Sequence, residues 1–474
     1  MEFDSFQTWG FLFIIFVIFG SLLLGNVIKK TIPFMRNSLV PVSVIGGLIL
    51  LIIAEVYSAI AGKPFFDLEI FGGNGYNVLK VITYHCLALG FIASTLRTSE
   101  RKITKQRVGE VFNAGVTTVA TYVIQGIIGL VITVLATLVI SSFFPASGIL
   151  LAFGYGQGTG QALNYGNIYA KIGGAGFEWL SDFGLTIAAL GFLSASLGGV
   201  IHLNYLKKKG RLPQGSKAQS RFTGQVEGEN EISMQGSIDK LSVQIALIVV
   251  SYAISYGLMF LLSLALPGMV DTIFGFNFLL GVIGAVIVKS LFKLLKKKNI
   301  VKKQYTNNFL LTRTSNMFFD IMVVAGIAAI QLGLLESYWG VILILGVAGL
   351  IVTFIYNRIV AKILFKDYSE EQFLAMYGML TGTASTGIIL LREIDGEFKT
   401  PAADNLVYQT LPAIAFGFPM MLVATFAPQN VVLTIGILIA YFIVLNLILF
   451  RKQIFRKRNK EAVEKEAVAV TEEK

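Results

Sequence analysis

Stretches of about 20 mostly apolar residues recur along this chain, and that recurrence leaves it few folds to choose from. A helix needs about that length to cross the hydrocarbon core of a bilayer. Within that core only helices and closed barrels satisfy every backbone polar group. The stretches fall at roughly 9–28, 39–61, 77–96, 110–140, 180–205, 241–264, 275–295, 317–335, 338–361, 404–427 and 430–450. They predict an all-α polytopic membrane protein with about 11 transmembrane helices. Composition agrees: the chain is 55% hydrophobic and 14% charged, where soluble proteins carry about 25% charged residues. Disorder, collagen and coiled coil are excluded on the same grounds. The single cysteine, Cys86, excludes an internal disulfide and a Cys-based zinc site, and two histidines, His85 and His202, are too few for a His-rich metal site.

Two further apolar segments, 148–166 and 373–391, are too short and too glycine-rich to be ordinary spans. Charge decides how they run. With the N-terminus outside, and with both segments dipping in and returning on the same side, 36 of the 39 Lys and Arg fall inside. Only Lys63, Lys80 and Lys171 stay outside. The sides then carry −6 outside and +17 inside, which accounts for the formal net charge of +11. This is the positive-inside asymmetry of a plasma (inner) membrane protein with a cytoplasmic C-terminus. If either segment crossed fully, the 207–209 lysines or the 452–460 tail would face the wrong side. Both are therefore read as re-entrant, and the basic character is a topology signal that leaves no support for nucleic-acid binding. The acidic 1–8 stretch lacks a basic n-region, so the first span is expected to be a retained helix.

A polar stretch over 206–240 reads as a cytoplasmic linker between two membrane repeats, 1–205 and 241–427. Each repeat has four spans, a glycine-rich re-entrant segment and a fifth span, and the two start from opposite sides. That order is an inverted-topology repeat, common among secondary transporters. Weak echoes agree: Val44-Ile45-Gly46-Gly47-Leu48-Ile49 resembles Val282-Ile283-Gly284-Ala285-Val286-Ile287. An extra transmembrane helix, 428–450, and a charged tail, 451–474, lie outside the repeat.

The re-entrant segments are the candidate site. The first reads Gly154-Tyr155-Gly156-Gln157-Gly158-Thr159-Gly160-Gln161. Glycines at every second position disfavour a lipid-facing helix, since each costs about 1 kcal/mol relative to alanine. Unwound backbone at membrane depth is tolerated where it is buried in protein or lines a watery cavity. There its carbonyls can coordinate a cation and its N–H groups can hold a carboxylate. The second segment contains Gly378, Thr381, Gly382, Thr383, Ser385, Thr386 and Gly387. Its hydroxyls, with Thr159, are candidate sodium ligands: Thr159, Thr381, Thr383 and Ser385. The alternative is close helix packing through small residues, a spacing that Gly378 and Gly382 fit.

Intramembrane ionisable residues add candidates. Asp320, near the inner end of span eight, either neutralises a bound cation or faces cytoplasmic water and Arg313. Asp182 opens span five and suits the helix dipole. Arg392 is a counter-charge for an anion or a snorkelling side chain. His85 reads as a hydrogen-bonded packing histidine before a proton relay. The sequence carries no G-x-S-x-G, H-E-x-x-H or P-loop, so it is not read as an enzyme or an ATP-driven pump, and no cofactor is expected beyond sodium as coupling ion.

Ile32-Pro33, Val44-Ile45-Gly46-Gly47-Leu48, Leu89-Gly90-Phe91-Ile92-Ala93-Ser94-Thr95-Leu96-Arg97, Gly156-Gln157-Gly158-Thr159-Gly160 and Phe183-Gly184-Leu185 together resemble the bacterial sodium/glutamate symporter family. The resemblance covers most of 20–427 and is stronger in the first half. It implies sodium-coupled uptake of glutamate or a similar anion through two inverted five-helix repeats. It implies that two re-entrant loops form the translocation site, with 156–160 matching the family's first loop and 378–387 lying where the second belongs. It also implies a homodimer in which a mobile domain carries substrate against a static scaffold. The family usually has histidine where this chain has Gln157, and a denser glycine pattern with a proline in the second loop.

The reading is thus a sodium symporter for glutamate or a related small carboxylate, in contact with lipid, working by alternating access. The rivals are a sodium/proton antiporter using Asp320 or Asp182, a transporter of a different organic anion, and a channel or membrane scaffold. A scaffold would tolerate Gly158→Leu and Gly382→Leu apart from losses of stability. A channel would conduct without saturation by solute.

Overall fold

The computed structural model describes residues 4–98, 105–210, 238–301, 303–396 and 398–454. Most of the expected linker 206–240 and of the tail 451–474 lies outside the described residues, as does part of the basic 97–109 loop. Among the described residues the structure is predominantly helical, without a β-strand.

We number the principal helices α1 (Phe6–Thr31), α2 (Val42–Ala61), α3 (Gly75–Leu96), α4 (Lys105–Ala136), α5 (Leu150–Gln157), α6 (Thr159–Gly173), α7 (Trp179–Lys208) and α8 (Lys240–Ala265). They continue as α9 (Asn277–Lys297), α10 (Asn308–Ala328), α11 (Trp339–Leu364), α12 (Ser369–Leu380), α13 (Ala384–Arg392), α14 (Ala402–Tyr408), α15 (Thr410–Phe426) and α16 (Val431–Leu449). Among the described residues ten helices are long and apolar enough to cross a membrane, and α14 with α15, taken as one span, brings the number to 11. The protein is therefore a multi-pass membrane protein, and each expected span has its helix.

Helix ends follow local chemistry. Asp239, Asn307 and Asn430 cap α8, α10 and α16, their side-chain oxygens accepting from Leu241 N (2.8 Å), Leu310 N (2.8 Å) and Leu433 N (2.9 Å). Two spans differ from expectation. The eighth starts nine residues earlier than the apolar stretch because Asn307 caps it there, and it ends at Ala328. This puts Asp320 about 18 Å along the helix, at 1.5 Å per residue, well away from its end. The tenth span is two helices, α14 and α15, bent by 51°. Pro412 has no N–H to give the Tyr408 carbonyl four residues back, and its ring crowds that carbonyl, so the helix breaks at Gln409.

At the centre α3 packs on α10, with Gly90 flat against the Phe319 ring and the Ser315 hydroxyl donating to the Gly90 carbonyl at 2.9 Å. Around this pair α2 packs on α10 and α9 packs on α3. In the same way α1 packs on α2 and α8 on α9, and α4 lies against α11. α4 also holds α15 and α16, and α11 holds α7. The outer faces of α1, α8, α11 and α16 expose apolar side chains such as Phe16, Leu261, Ile344 and Leu447, which suits contact with lipid chains.

Contacts between loops sort into two sets. At one end of the bundle Lys171 meets Asp271, Trp179 stacks on Tyr338 at 4.1 Å, and Glu55 accepts from Leu332 N at 2.9 Å. At the other, Lys289 donates to the Arg97 carbonyl at 2.7 Å, Asn308 accepts from Thr98 N at 2.8 Å, and Arg451 donates to Asn113 at 3.2 Å.

A buried ion pair tightens the first end. Asp182 on α7 is fully buried; it accepts from Lys80 Nζ on α3 at 3.0 Å, from Ser181 Oγ at 3.0 Å and from Gln331 N at 2.9 Å. Removing one partner of a buried pair strands the other charge and costs about 3 kcal/mol. Lys80→Met should therefore lower the melting temperature by several degrees in detergent. Adding Asp182→Asn should recover part of the loss, because no uncompensated carboxylate remains.

Candidate functional site

The two glycine-rich segments form two helical hairpins. In the first, α5 ends at Gln157 and α6 begins at Thr159, with Gly158 between them at φ 78°, ψ −169°. Only glycine adopts that backbone without strain. The arms pack side by side: the rings of Phe153 and Tyr165 stack at 3.8 Å, and Phe144 before α5 meets Phe177 beyond α6 at 5.4 Å. In the second, α12 and α13 flank the break at Thr381, Gly382 and Thr383. Gly378 and Gly387 let these arms touch, since a Cβ on Gly378 would come within 2.8 Å of the Gly387 Cα.

The breaks face one another. A Cβ built on Gly158 would lie 3.6 Å from the Gly382 carbonyl oxygen and 3.7 Å from Thr383 Cγ2, with no closer neighbour. α10 closes the junction from one side: Thr159 Oγ1 donates to the Met322 carbonyl at 3.3 Å, and Gly326 lies flat against Thr159. α7 closes it from another, with Gly191 against the Thr381 carbonyl.

The backbone ends at this junction have complementary character. Neither α6 nor α13 carries a side-chain cap, so their first N–H groups are turned to the junction without a hydroxyl or carboxylate over them. α5 ends at Gly158 with no capping N–H bond among the described residues. The junction thus combines the positive ends of two helices with the negative ends of two others.

The expected site residues divide around it. Gly158, Thr159, Gly382 and Thr383 line the meeting point, and Gln157, Thr383 and Ser385 stay partly exposed there. Thr381 is buried and its hydroxyl donates back to the Tyr377 carbonyl at 2.7 Å. Thr386 is buried behind the break, 3.4 Å from the Thr383 hydroxyl. Gly156 and Gly160 sit inside α5 and α6, where their bare Cα atoms admit the Tyr122 ring and the Leu87 side chain. These two, with Gly378, act through close packing. Asp320, two residues before Met322 on α10, is half-buried beside Ser43 of α2. Arg392 is exposed at the far end of α13, over the Phe398 ring, about 12 Å of helix from the break. Asp182 belongs to the Lys80 pair. His85 is held by Tyr252, Nδ1 to hydroxyl 2.7 Å.

Sequence reasoning missed the polar side chains of α4 and α11. Gln125 is fully buried and donates from Nε2 to Thr353 Oγ1 (2.8 Å) and to the Leu380 carbonyl (2.9 Å) at the second break. The signal was present: Thr117, Thr121 and Gln125 recur every fourth residue within an apolar span, facing Thr353 and Asn357. Tyr155 also braces the hairpins, donating to the Gly346 carbonyl at 2.6 Å.

Compared with known protein families, characterised proteins and solved structures, the chain matches none of them.

Gly156→Ala would place its Cβ within 2.2 Å of the Tyr122 ring. Overpacking of this kind costs about 1–3 kcal/mol. The variant should melt earlier, and Tyr122→Leu added to it should restore most of the loss; two independent, additive losses would contradict this packing.

Proposed function

We propose that the protein is a sodium-coupled secondary transporter, a symporter for glutamate or a related small carboxylate that works by alternating access. The observation that carries this reading is the meeting of two broken helical hairpins, Gly158 against the Gly382 carbonyl, in the interior of a multi-pass membrane protein. Broken helices at the midplane are how secondary transporters bring backbone groups to a solute without exposing them to lipid. The uncapped N-termini of α6 and α13 suit a carboxylate. The carbonyl end of α5 and the hydroxyls of Thr383 and Ser385 suit sodium, with Thr159 and Thr381 beside them.

Matched packing supports reading 1–205 and 241–427 as two inverted repeats. α2 rests on α10 as α9 rests on α3, α1 on α2 as α8 on α9, and α4 meets α11. Each hairpin follows the fourth long helix of its half, α4 or α11, and we read both as re-entrant. The resemblance of 156–160 and 183–185 to the glutamate symporters supports the choice of solute, an elevator-type movement, a homodimer and a place in the plasma membrane with the C-terminus inside.

Sodium-dependent accumulation of labelled glutamate in proteoliposomes is the direct test. Uptake should require an inward sodium gradient, and Gly158→Leu, which fills the junction, should reduce it to background while the protein stays folded. The absence of uptake for every amino and dicarboxylic acid tried, with and without sodium, would sink the reading. A second reading, a sodium/proton antiporter, is favoured by Asp320 alone: it is half-buried within a span and makes no ion pair among the described residues. It expects sodium to drive protons out of loaded vesicles without organic solute, and Asp320→Asn to stop this.

A further inference from the structure

The geometry points to a buried cation site centred on the side-chain carbonyl of Gln125, where α4 passes both hairpin breaks. The inference deepens the transport reading and rests on it for the ion's role. Gln125 has 0% exposure, and its Nε2 is spent on Thr353 and on the Leu380 carbonyl. Its Oε1 has no hydrogen-bond donor. A Cβ on Gly156 would lie 3.2 Å from that oxygen, so it rests against the last turn of α5. There the helix runs out at Gly158 without a capping bond, leaving carbonyls that no N–H satisfies.

An orphaned acceptor in an apolar interior costs about 1–3 kcal/mol. It persists where something supplies positive charge, and among the described residues no Lys, Arg or His donates a hydrogen bond to it. One helical turn along the same pair of helices, Asn357 donates to Thr121 Oγ1 at 3.3 Å, and its own Oδ1 is likewise buried and without a donor. Both orphans are amide oxygens whose own amide nitrogen is spent on a threonine hydroxyl. Gln125 Oε1 is a hard, neutral oxygen ligand, of the class that holds a small alkali cation rather than a transition metal. A carbonyl helix end adds partial negative charge on the same side.

The stripe continues. Thr117 and Thr118 extend it along α4 to Glu110, which accepts from the Tyr368 hydroxyl at 2.8 Å beside a cavity of about 430 Å³. The site therefore lies on a polar line between the breaks and one end of the bundle. Sodium held there would touch α4, α5 and, through Gln125 and the Leu380 carbonyl, the end of α12. Its arrival would fix both hairpins against one helix.

Equilibrium binding of ²²Na⁺ to the purified full-length protein, with choline chloride keeping ionic strength constant, tests this. Wild type should bind sodium saturably. Gln125→Leu should weaken that affinity tenfold or more while remaining monodisperse and helical. Gln125→Glu should keep sodium bound and make its affinity fall as pH drops through the carboxylate range. Wild-type affinity in Gln125→Leu, or the absence of sodium binding by wild type, overturns the site. Should Gln125→Leu fail to fold, Gln125→Glu decides alone, and a pH dependence identical to wild type overturns it. The transport reading fails separately. Sodium binding that Gln125→Leu abolishes, with no carboxylate uptake by wild type, keeps the site and removes the symporter. Sodium-driven uptake whose sodium dependence is unchanged in Gln125→Leu does the reverse.

Discussion

Every backbone N–H and C=O in the hydrocarbon core must find a partner within the protein, and the rest of this structure depends on that constraint. It explains why the spans are helices. It also explains where helices are allowed to stop. Gly158 and the 381–383 break are screened from lipid by α3, α4, α7 and α10, and each arm of each hairpin rests on a full-length helix. The two hairpin breaks meet at one junction, and that junction holds uncapped helix ends in the interior of an apolar bundle.

Glycine serves two separate ends here. At Gly158 it supplies a backbone conformation closed to other residues. Elsewhere it supplies absence: Gly154 against Ile187 and Ala188, Gly156 against Tyr122, Gly160 against Leu87, Gly191 against the Thr381 carbonyl. The hairpins sit close to their neighbours because side chains are missing on one face. Packing and site formation, which looked like rival accounts of the glycine-rich segments, are two steps of one construction.

Much of this was legible in the sequence. Hydropathy placed all eleven spans, because length and apolarity are the physical requirement itself. That 148–166 and 373–391 are not ordinary spans was legible from their length and glycine content, and each holds a pair of short helices. Less legible was the conformation of Gly154, Gly156 and Gly160, whose low helix propensity is offset by burial among partners distant in the chain. The start of α10 was masked by polar residues 312–316, which hydropathy reads as loop and Asn307 caps as helix. The kink after Tyr408 was readable from Pro412 and was passed over because the stretch is apolar throughout. Gln125 was hidden in the same way, by its apolar flanks; only its spacing from Thr121 and Thr117 set it apart.

The Lys80–Asp182 pair has a mechanical consequence. Asp182 and Glu55 accept from two consecutive backbone N–H groups, Gln331 and Leu332. The short turn between α10 and α11 is thereby clamped by carboxylates arriving from α2 and α7, with Lys80 adding α3. Five membrane helices from both halves of the chain are knotted at one end of the bundle by a single turn. A seam along which rigid parts slide cannot cut through that knot without exposing a buried charge. These five helices are therefore tied to one another at that end of the bundle.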